Sequence, residues 1–280
     1  MSASFSVLIL TLNEEINISD CINSVSWCDD IVILDSLSSD RTCEIAKSMG
    51  ARVFSNKFED FGSQRNYALD NITFKYSWIF HLDADERFNE NLREECIQVI
   101  RLDEMSAYFV PNRIIFLGKW IRRCTQYPYP QVRLIKFGEV RFSKSGHGQK
   151  EDFVKRGVGN INTPYDHYNF SKGIEEWIAK HNLYSSEEAR LSEEIASIQL
   201  SKCFSSHRMI RNRALKSLFI RMPMRPLIKF CFLFFFKLGF LDGYPGYVYC
   251  RLQAIYELLI CLKVREMNVK TSSGYKRKIE

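Results

Sequence analysis

Two aspartates separated by one residue form the acidic group in this sequence whose spacing is best suited to chemistry. Asp83 and Asp85 follow the apolar run Trp78–Leu82 and precede Glu86. In an extended segment, side chains at i and i+2 face the same side. Carboxylates arranged in this way suit Mg²⁺ or Mn²⁺, which proteins bind jointly with substrate phosphates to neutralise a diphosphate leaving group. The alternative is a solvated acidic turn before a helix, where the helix dipole favours negative charge.

Strand and helix patterns alternate around this acidic pair. Helical stretches between apolar runs indicate βαβ units and a parallel sheet, and therefore an α/β fold. The predicted strands are Ser6–Leu12, Asp30–Asp35, Ala51–Phe54, Trp78–Leu82 and Tyr108–Pro111. The first predicted helix begins near Glu14 with Asn13 as its N-cap, and the second follows the second strand and ends at Ala46. Two further helices are predicted over Phe61–Leu69 and Asn89–Arg101.

Polar clusters follow three of these strands, at residues 11–15, 35–42 and 83–86. Ligands of parallel sheets bind beyond the carboxyl ends of the strands, so the three clusters predict one shared cleft. Neither GxGxxG after the first strand nor GxxxxGK[ST] occurs in the sequence. A nucleotide would therefore be held by carboxylates, side-chain amides and a metal rather than by a glycine-rich loop.

Composition and cysteine usage indicate a globular protein of a reducing compartment. The 280 residues include nine scattered cysteines without a CxxC pair. This pattern argues against a disulfide framework and against a structural zinc site, and it favours the cytosol. The first residues have no positive region or cleavage site typical of a signal peptide.

The charge is divided unevenly along the chain. Residues 201–280 contain 16 Lys and Arg but four Asp and Glu, whereas residues 1–200 contain 23 and 29. The segment 227–241 is apolar but has 15 residues, fewer than the roughly 20 that a spanning helix needs. The segments 227–241 and 247–262, joined by a turn at 239–246, are instead predicted to form two helices that lie in the interface of an anionic membrane. A helical hairpin buried against the rest of the protein is the alternative.

Four motifs, in this order and spacing, resemble the inverting family 2 glycosyltransferases of GT-A fold. The resemblance covers residues 5–112 and is closest to the lipopolysaccharide core β-glucosyltransferase-like subgroup. The usual second motif reads closer to DSGSTDGT, so that Leu37 and Arg41 stand in place of two glycines. The four motifs are LTLNEE (10–15), DSLSSDRT (35–42), GSQRN (62–66) and HLDADE (81–86).

The resemblance implies a GT-A-type, mostly parallel sheet flanked by helices, with a Rossmann-like nucleotide-binding half at 1–112 and an acceptor half at 113–200. A helical, membrane-associating appendage would follow at 201–280. Turn formation and helix capping are the alternative roles for Asp35 and Asp40. The resemblance assigns seven residues to the donor: Thr11, Asn13 and Glu15 at the nucleoside, Asp35 at the base edge, Arg65 at the diphosphate, Asp83 at the ribose or metal, and Asp85 at the metal.

An inverting transfer also needs a base that takes the proton of the acceptor hydroxyl. Glu151 is the first candidate, Asp152 the second and His147 the third; a solvated charge beside Lys150 is the alternative for Glu151. The alternation in Val132–Ile135 and Val140–Phe142 predicts a hairpin before them. Resemblance to the same subgroup implies four residues that contact the acceptor: His167, Trp177, His181 and Tyr184. For the two histidines, the alternative role is a structural hydrogen bond.

Together with the resemblance, these observations predict a metal-dependent enzyme that moves a sugar from a UDP-sugar to a lipid-linked or lipopolysaccharide-core saccharide. UDP-glucose is the leading candidate for the donor, and the new bond would be a β-linkage. It would be peripheral on the cytoplasmic face of the inner membrane and would bind no nucleic acid. One alternative is a sugar-nucleotide pyrophosphorylase, although those enzymes open with a glycine-rich loop. The other is a non-catalytic scaffold whose basic tail binds membrane or nucleic acid.

Overall fold

The computed structural model of the chain describes residues 4–145, 148–196, 207, 211–212, 214, 222 and 224–272. Contacts within the chain divide it into two compact units, Met1–Gly173 and Ile174–Glu280. The domain boundary expected at residue 200 falls in 197–206, outside the described residues, and it stays a prediction.

The β-strands of the first unit form a large central sheet and two smaller ones. The strands are β1 (Ser6–Thr11), β2 (Ile31–Asp35), β3 (Arg52–Ser55), β4 (Trp78–Asp83), β5 (Glu86–Arg87), β6 (Ala107–Val110), β7 (Asn112–Phe116), β8 (Lys119–Trp120), β9 (Gln131–Lys136), β10 (Val140–Ser145), β11 (Gly148–Val154), β12 (Val158–Asn160) and β13 (Tyr165–His167). The central sheet has seven strands in the order β12-β6-β9-β4-β1-β2-β3. Four of its neighbouring pairs are parallel, and β9 is antiparallel to both of its neighbours. A smaller sheet has the order β5-β13-β7-β8, and β10 pairs with β11.

The middle of the central sheet is buried on both faces, which explains why β1, β2 and β4 are largely apolar runs. Along β1, Val7 and Ile9 belong to one hydrophobic cluster, whereas Leu8 and Leu10 belong to another. Because alternate side chains of a strand point to opposite faces, each cluster fills the space between one face and its covering elements. The α/β class and the mostly parallel sheet predicted from the sequence are confirmed.

Helices follow the strands as the alternation predicts. They are α1 (Ile18–Ser24), α2 (Thr42–Ser48), α3 (Phe61–Asn71) and α4 (Glu90–Leu102). Asp60 caps α3 by accepting a hydrogen bond from the Ser63 amide at 2.9 Å, and Asn89 caps α4 through the Leu92 amide at 3.0 Å. Each cap satisfies a backbone donor that the first helical turn leaves unpaired.

Two local predictions are wrong. Asn13 does not cap a helix, because α1 begins five residues later at Ile18 and Asn13 adopts a positive φ of 54°. The segments 132–135 and 140–142 do not pair as a hairpin. Instead, β9 enters the central sheet between β4 and β6, and β10 pairs with the following strand, β11.

The second unit is helical over its described residues. It contains α5 (Gly173–Ala196), α6 (Arg225–Cys231), a π-helical turn at Phe232–Phe236, a 3₁₀ turn at Gly239–Asp242 and α7 (Gly243–Ser272). The expected helix over 227–241 is interrupted after Phe236, since the chain reverses where Leu238 takes a positive φ of 58°. Among the residues that the structure describes, no helix has both the length and the apolar character needed to cross a membrane.

Candidate active site

The polar clusters after β1 and β2 meet at the carboxyl edge of the central sheet. The Thr11 hydroxyl donates to Asp35 Oδ1 at 2.8 Å, and both side chains are buried. Asp35 also accepts from the Ser38 amide at 2.8 Å and from the Ser38 hydroxyl at 2.5 Å. The turn after β2 is therefore organised around the Asp35 carboxylate, as expected for an Asx-type turn.

The loop after β1 is joined to that turn by reciprocal hydrogen bonds. The Asn13 amide donates to Ser38 Oγ, and Asn13 Oδ1 accepts from the Ser39 amide, both at 2.8 Å. Glu15 accepts from the Arg41 amide at 3.1 Å. Thr11, Asn13, Glu15 and Asp35, predicted to contact the donor, thus lie in one cluster of loops. Asp40 accepts from the Thr42 amide at 3.0 Å, which is the turn-forming role proposed for it as an alternative.

Leu37, which stands where the family motif has glycine, has a positive φ of 66° and an exposed side chain. The left-handed region costs a non-glycine residue roughly 1–2 kcal/mol, and substitution by glycine removes this cost. Glycine also loses more backbone entropy on folding, which offsets part of the benefit. We expect Leu37→Gly to raise the free energy of unfolding by about 0.5–1 kcal/mol, measured by guanidinium denaturation. Arg41→Gly is the control, because Arg41 has an ordinary φ of −81° and should gain nothing. Equal or lower stability of Leu37→Gly would contradict the strain at this turn.

The GSQRN motif lies on α3, and several of its side chains connect different parts of the site. Gln64 Nε2 donates to Ser36 Oγ at 3.1 Å, next to the turn after β2. Asn66 donates to the Phe142 carbonyl at 2.8 Å and accepts from the Phe142 amide at 3.1 Å, which holds β10 against the helix. A Cβ at Gly62 would lie 2.9 Å from the backbone carbon of Ser143, so glycine permits this close approach. The motif therefore fixes the β10–β11 hairpin beside the sheet edge.

Arg65 of the same motif reaches the first aspartate of the acidic pair. Its Nη2 donates to Asp83 Oδ1 at 3.2 Å, and its Nε donates to Gln149 Oε1 of β11 at 2.6 Å. The side chain is 3% exposed. A buried guanidinium between a strand end and the hairpin is suited to hold a diphosphate or another anion at this edge.

A second arginine, Arg133 of β9, completes a buried charge cluster. Its Nη2 donates to Asp83 Oδ2 at 2.9 Å and to Glu86 Oε1 at 2.6 Å, and its Nε donates to the Tyr165 hydroxyl at 3.1 Å. Burial raises the pKa of the Asp83 carboxyl, but Arg133 and Arg65 outweigh it and keep that pKa well below its usual range. Both Asp83 oxygens are thus occupied by guanidinium groups.

Asp85 instead faces His167 of β13, with 3.3 Å between Asp85 Oδ2 and His167 Nε2. Burial lowers the pKa of His167, but the Asp85 carboxylate outweighs this effect and raises it to about 9. The Tyr168 amide donates to the Asp85 carbonyl at 2.8 Å, which ties this strand end to the segment after β13. His167, expected at the acceptor, therefore lies against the acidic pair.

One carboxylate and one imidazole nitrogen at this spacing fit a divalent cation that displaces the proton of His167 and takes its remaining ligands from a diphosphate and water. A complete protein cage is not formed: over the described part of the chain, no group of three or more His, Cys, Asp or Glu side chains is arranged to hold a metal ion. Asp85 and His167 are the residues that could bind such an ion, whereas Asp83 is engaged in ion pairs.

The candidate bases lie on or before β11. Glu151 is partly buried and pairs with Phe142, whereas Asp152 is exposed where the register shifts by one residue. Since alternate residues of a strand share a face, Glu151 lies on the same face as Gln149, whose side chain accepts from Arg65. His147 lies outside the described residues.

The other three expected acceptor residues lie on α5 in the second unit. Trp177 is buried, and its ring stacks on that of His181 with 3.7 Å between centroids. His181 Nδ1 lies 2.8 Å from the Trp177 carbonyl, and the imidazole contacts the rings of Tyr184 and Tyr256 edge-on. These contacts describe packing between α5 and α7 and match the structural alternative for His181.

Sequence reasoning missed several residues of the site. Arg133 carried a usable signal, because a charged residue inside the apolar alternation QVRLIK requires a buried partner. Lys172, whose Nζ lies 2.6 Å from Glu14 Oε1, joins the segment after β13 to the loop after β1. Gln149 and Lys172 contact residues far away in the sequence, so no local pattern could have indicated them.

Comparison with known proteins adds a family match to this geometry. The model of the family described as Glycosyl transferase family 2 matches residues 6–150. The matched region contains the loops after β1 and β2, the motif on α3 and the acidic pair, and it ends within β11.

Curated relatives and solved structures match beyond that region. An uncharacterized glycosyltransferase of Rickettsia typhi, RT0209, is 26% identical over 95% of this chain and 88% of its own length. The lipopolysaccharide core biosynthesis glycosyltransferase LpsC of Rhizobium meliloti is 29% identical over 64% of this chain and 68% of its own. The crystal structure of S. aureus TarS 1–349 in complex with UDP-GlcNAc aligns with a TM-score of 0.46 at 13% identity, covering 99% of this chain and 94% of that one.

Proposed function

Because the chain belongs to glycosyl transferase family 2 and is thus a glycosyltransferase, we propose that it moves a sugar from a UDP-sugar to a lipid-linked or lipopolysaccharide-core saccharide. The observation that carries the proposal is the pairing of Asp85 with His167 beside the Arg65–Asp83–Arg133 cluster. The similarity to LpsC, a lipopolysaccharide core enzyme, supports the acceptor class. UDP-glucose is the first donor to test.

The donor would lie along the carboxyl edge of the sheet. Thr11, Asn13, Glu15 and Asp35 are proposed to line the nucleoside pocket, and Arg65 is proposed to bind the diphosphate. Asp85 and His167 would hold Mg²⁺ or Mn²⁺, which would neutralise negative charge on the departing diphosphate. Asp83, held by two arginines, is proposed to face the ribose.

The transfer proposed here inverts the configuration at the anomeric carbon. Glu151 would take the proton from an acceptor hydroxyl as its oxygen attacks that carbon, and the bond to the UDP oxygen breaks on the opposite face. An α-linked donor then yields a β-linked product. The position of Glu151 on the same β11 face as Gln149 supports it over the exposed Asp152.

The acceptor class also suggests a location. We propose that the enzyme works at the cytoplasmic face of the inner membrane, bound peripherally to anionic lipid and not to nucleic acid. The basic residues of 201–280 support this proposal, since each Lys or Arg near an anionic leaflet adds about 1 kcal/mol of attraction.

Calorimetric titration with UDP tests the donor site directly. In Mn²⁺ we expect UDP binding that weakens by about 10- to 100-fold in EDTA, and Asp85→Ala should bind in Mn²⁺ as weakly as the wild type in EDTA. Asp70→Ala is the matched control, because Asp70 is an exposed aspartate that pairs with Arg141. Absence of UDP binding by the wild type in both conditions would contradict the proposed donor, and equal binding in both conditions would contradict the metal.

A further inference from the structure

The chain reversal between α6 and α7 exposes a concentrated apolar surface. Phe236 is 80% exposed, Tyr244 72% and Phe235 56%. Exposed apolar side chains scattered singly are ordinary, but a contiguous group on one short reversal marks an interaction site. The surface, called here the hairpin surface, consists of Phe232, Phe235, Phe236, Phe240, Leu241 and Tyr244.

This surface stands on a well-packed base rather than on loose chain. Inside the reversal, the Phe234 ring lies 5.3 Å from that of Phe230 and 6.0 Å from that of Phe240. A Cβ at Gly246 would come within 2.4 Å of the Gly239 carbonyl oxygen, so the two backbone segments are in direct contact. The outward aromatic rings are therefore presented by a compact hairpin.

The charges beside the hairpin surface have one sign. Within residues 224–256, all of which the structure describes, no acidic side chain is exposed, since Asp242 is 4% exposed. Lys237 and Arg251 are exposed in the same segment. Arg225, by contrast, is buried and forms an ion pair with Glu257 that connects α6 with α7.

We propose that the hairpin surface inserts into the interfacial layer of one leaflet of an anionic phospholipid bilayer. Phenylalanine and leucine side chains bury at the boundary between headgroups and acyl chains, tyrosine favours the headgroup level, and a basic rim is attracted to anionic headgroups. A second copy of the chain is a poorer occupant. A two-fold contact would bring Lys237 of each copy towards a surface without exposed acidic residues.

The inference deepens the proposed function, because it rests on the membrane as the place where the acceptor is met. It also changes the expected mode of attachment. The sequence favours two helices lying flat on the membrane, whereas the most exposed apolar side chains are at the reversal between the helices. Attachment through the reversal places residues 232–244 at the leaflet and leaves most of the 30 residues of α7 outside it.

Flotation of the full-length protein with vesicles tests the proposal. We expect binding to vesicles of phosphatidylcholine and phosphatidylglycerol in a 7:3 ratio, and much weaker binding to phosphatidylcholine alone. Phe235→Ser/Phe236→Ser should lower the partition coefficient by at least about tenfold, since binding scales with buried apolar area. Leu102→Ser/Leu183→Ser is the matched control, because both leucines are similarly exposed elsewhere, at 65% and 69%.

A direct readout locates the inserted residue. In Phe236→Trp, brominated phosphatidylglycerol should quench fluorescence beyond the quenching of the wild type. Equal vesicle binding by the hairpin variant and the leucine control would overturn the proposal. So would a wild-type protein that is dimeric and a hairpin variant that is monomeric, if neither protein binds vesicles. Asp85→Ala should still float, whereas the hairpin variant should still bind UDP, so that failure of the donor site and failure of the membrane surface are distinguishable.

Discussion

Arg133→Met is expected to destabilise the first unit by about 3–5 kcal/mol, the usual cost of leaving buried charges without their partner. The Arg133 side chain is 3% exposed, and it neutralises both Asp83 and Glu86, the second of which is fully buried. Methionine fills a similar volume but leaves these two carboxylates facing each other, with Arg65 and His167 as the remaining nearby cations. The free energy of unfolding by guanidinium, followed by circular dichroism, measures the effect.

Two further variants separate charge from volume. Arg141→Met removes an exposed ion pair with Asp70 and should cost less than about 1 kcal/mol. Glu86→Gln added to Arg133→Met should recover part of the loss, because it removes one uncompensated charge. Similar stability of Arg133→Met and Arg141→Met would show that Arg133 does not hold the buried cluster together.

The sequence was informative where the interactions are local or periodic. The apolar run Ser6–Leu12 predicted β1 because a strand buried on both faces needs apolar residues at every position. The helix predicted over Asn89–Arg101 corresponds to α4, and the structure shows that its start is fixed locally by the Asn89 cap. The polar clusters after β1, β2 and β4 were expected to share an edge, since parallel pairing brings the carboxyl ends of neighbouring strands together.

Long-range contacts explain the failures. Asn13 has the residue type of a helix cap, but its side chain accepts from Ser39, 26 residues away, and the helix starts later. The strand around Arg133 was predicted, yet its partners are β4 and β6 rather than the next strand. This pairing depends on contacts between strands that are distant in the sequence, so a local pattern does not predict it. His167 meets Asp85 because β13 pairs with β5, and no spacing rule reports that pairing.

Glu151→Gln is expected to lower the turnover number by about 10²- to 10⁴-fold, the range for loss of a general base. Glutamine keeps the size and hydrogen-bonding capacity of the side chain but cannot accept the proton of the acceptor hydroxyl. Affinity for UDP should be unchanged, because no hydrogen bond joins Glu151 to Arg65, whose partners in the described site are Gln149 and Asp83. The assay measures UDP release from UDP-glucose in the presence of lipopolysaccharide core isolated from cells lacking the enzyme.

Asp152→Asn is the matched control, one residue away on the same strand. Asp152 is exposed at the register shift, whereas Glu151 pairs with Phe142 on the face that Gln149 shares. We therefore expect Asp152→Asn to keep turnover near that of the wild type. A large loss in Asp152→Asn alone would transfer the role to Asp152, and normal turnover in both variants would leave His147 as the remaining candidate base. In either case the face of β11 that carries Gln149 would bind the donor but not supply the base.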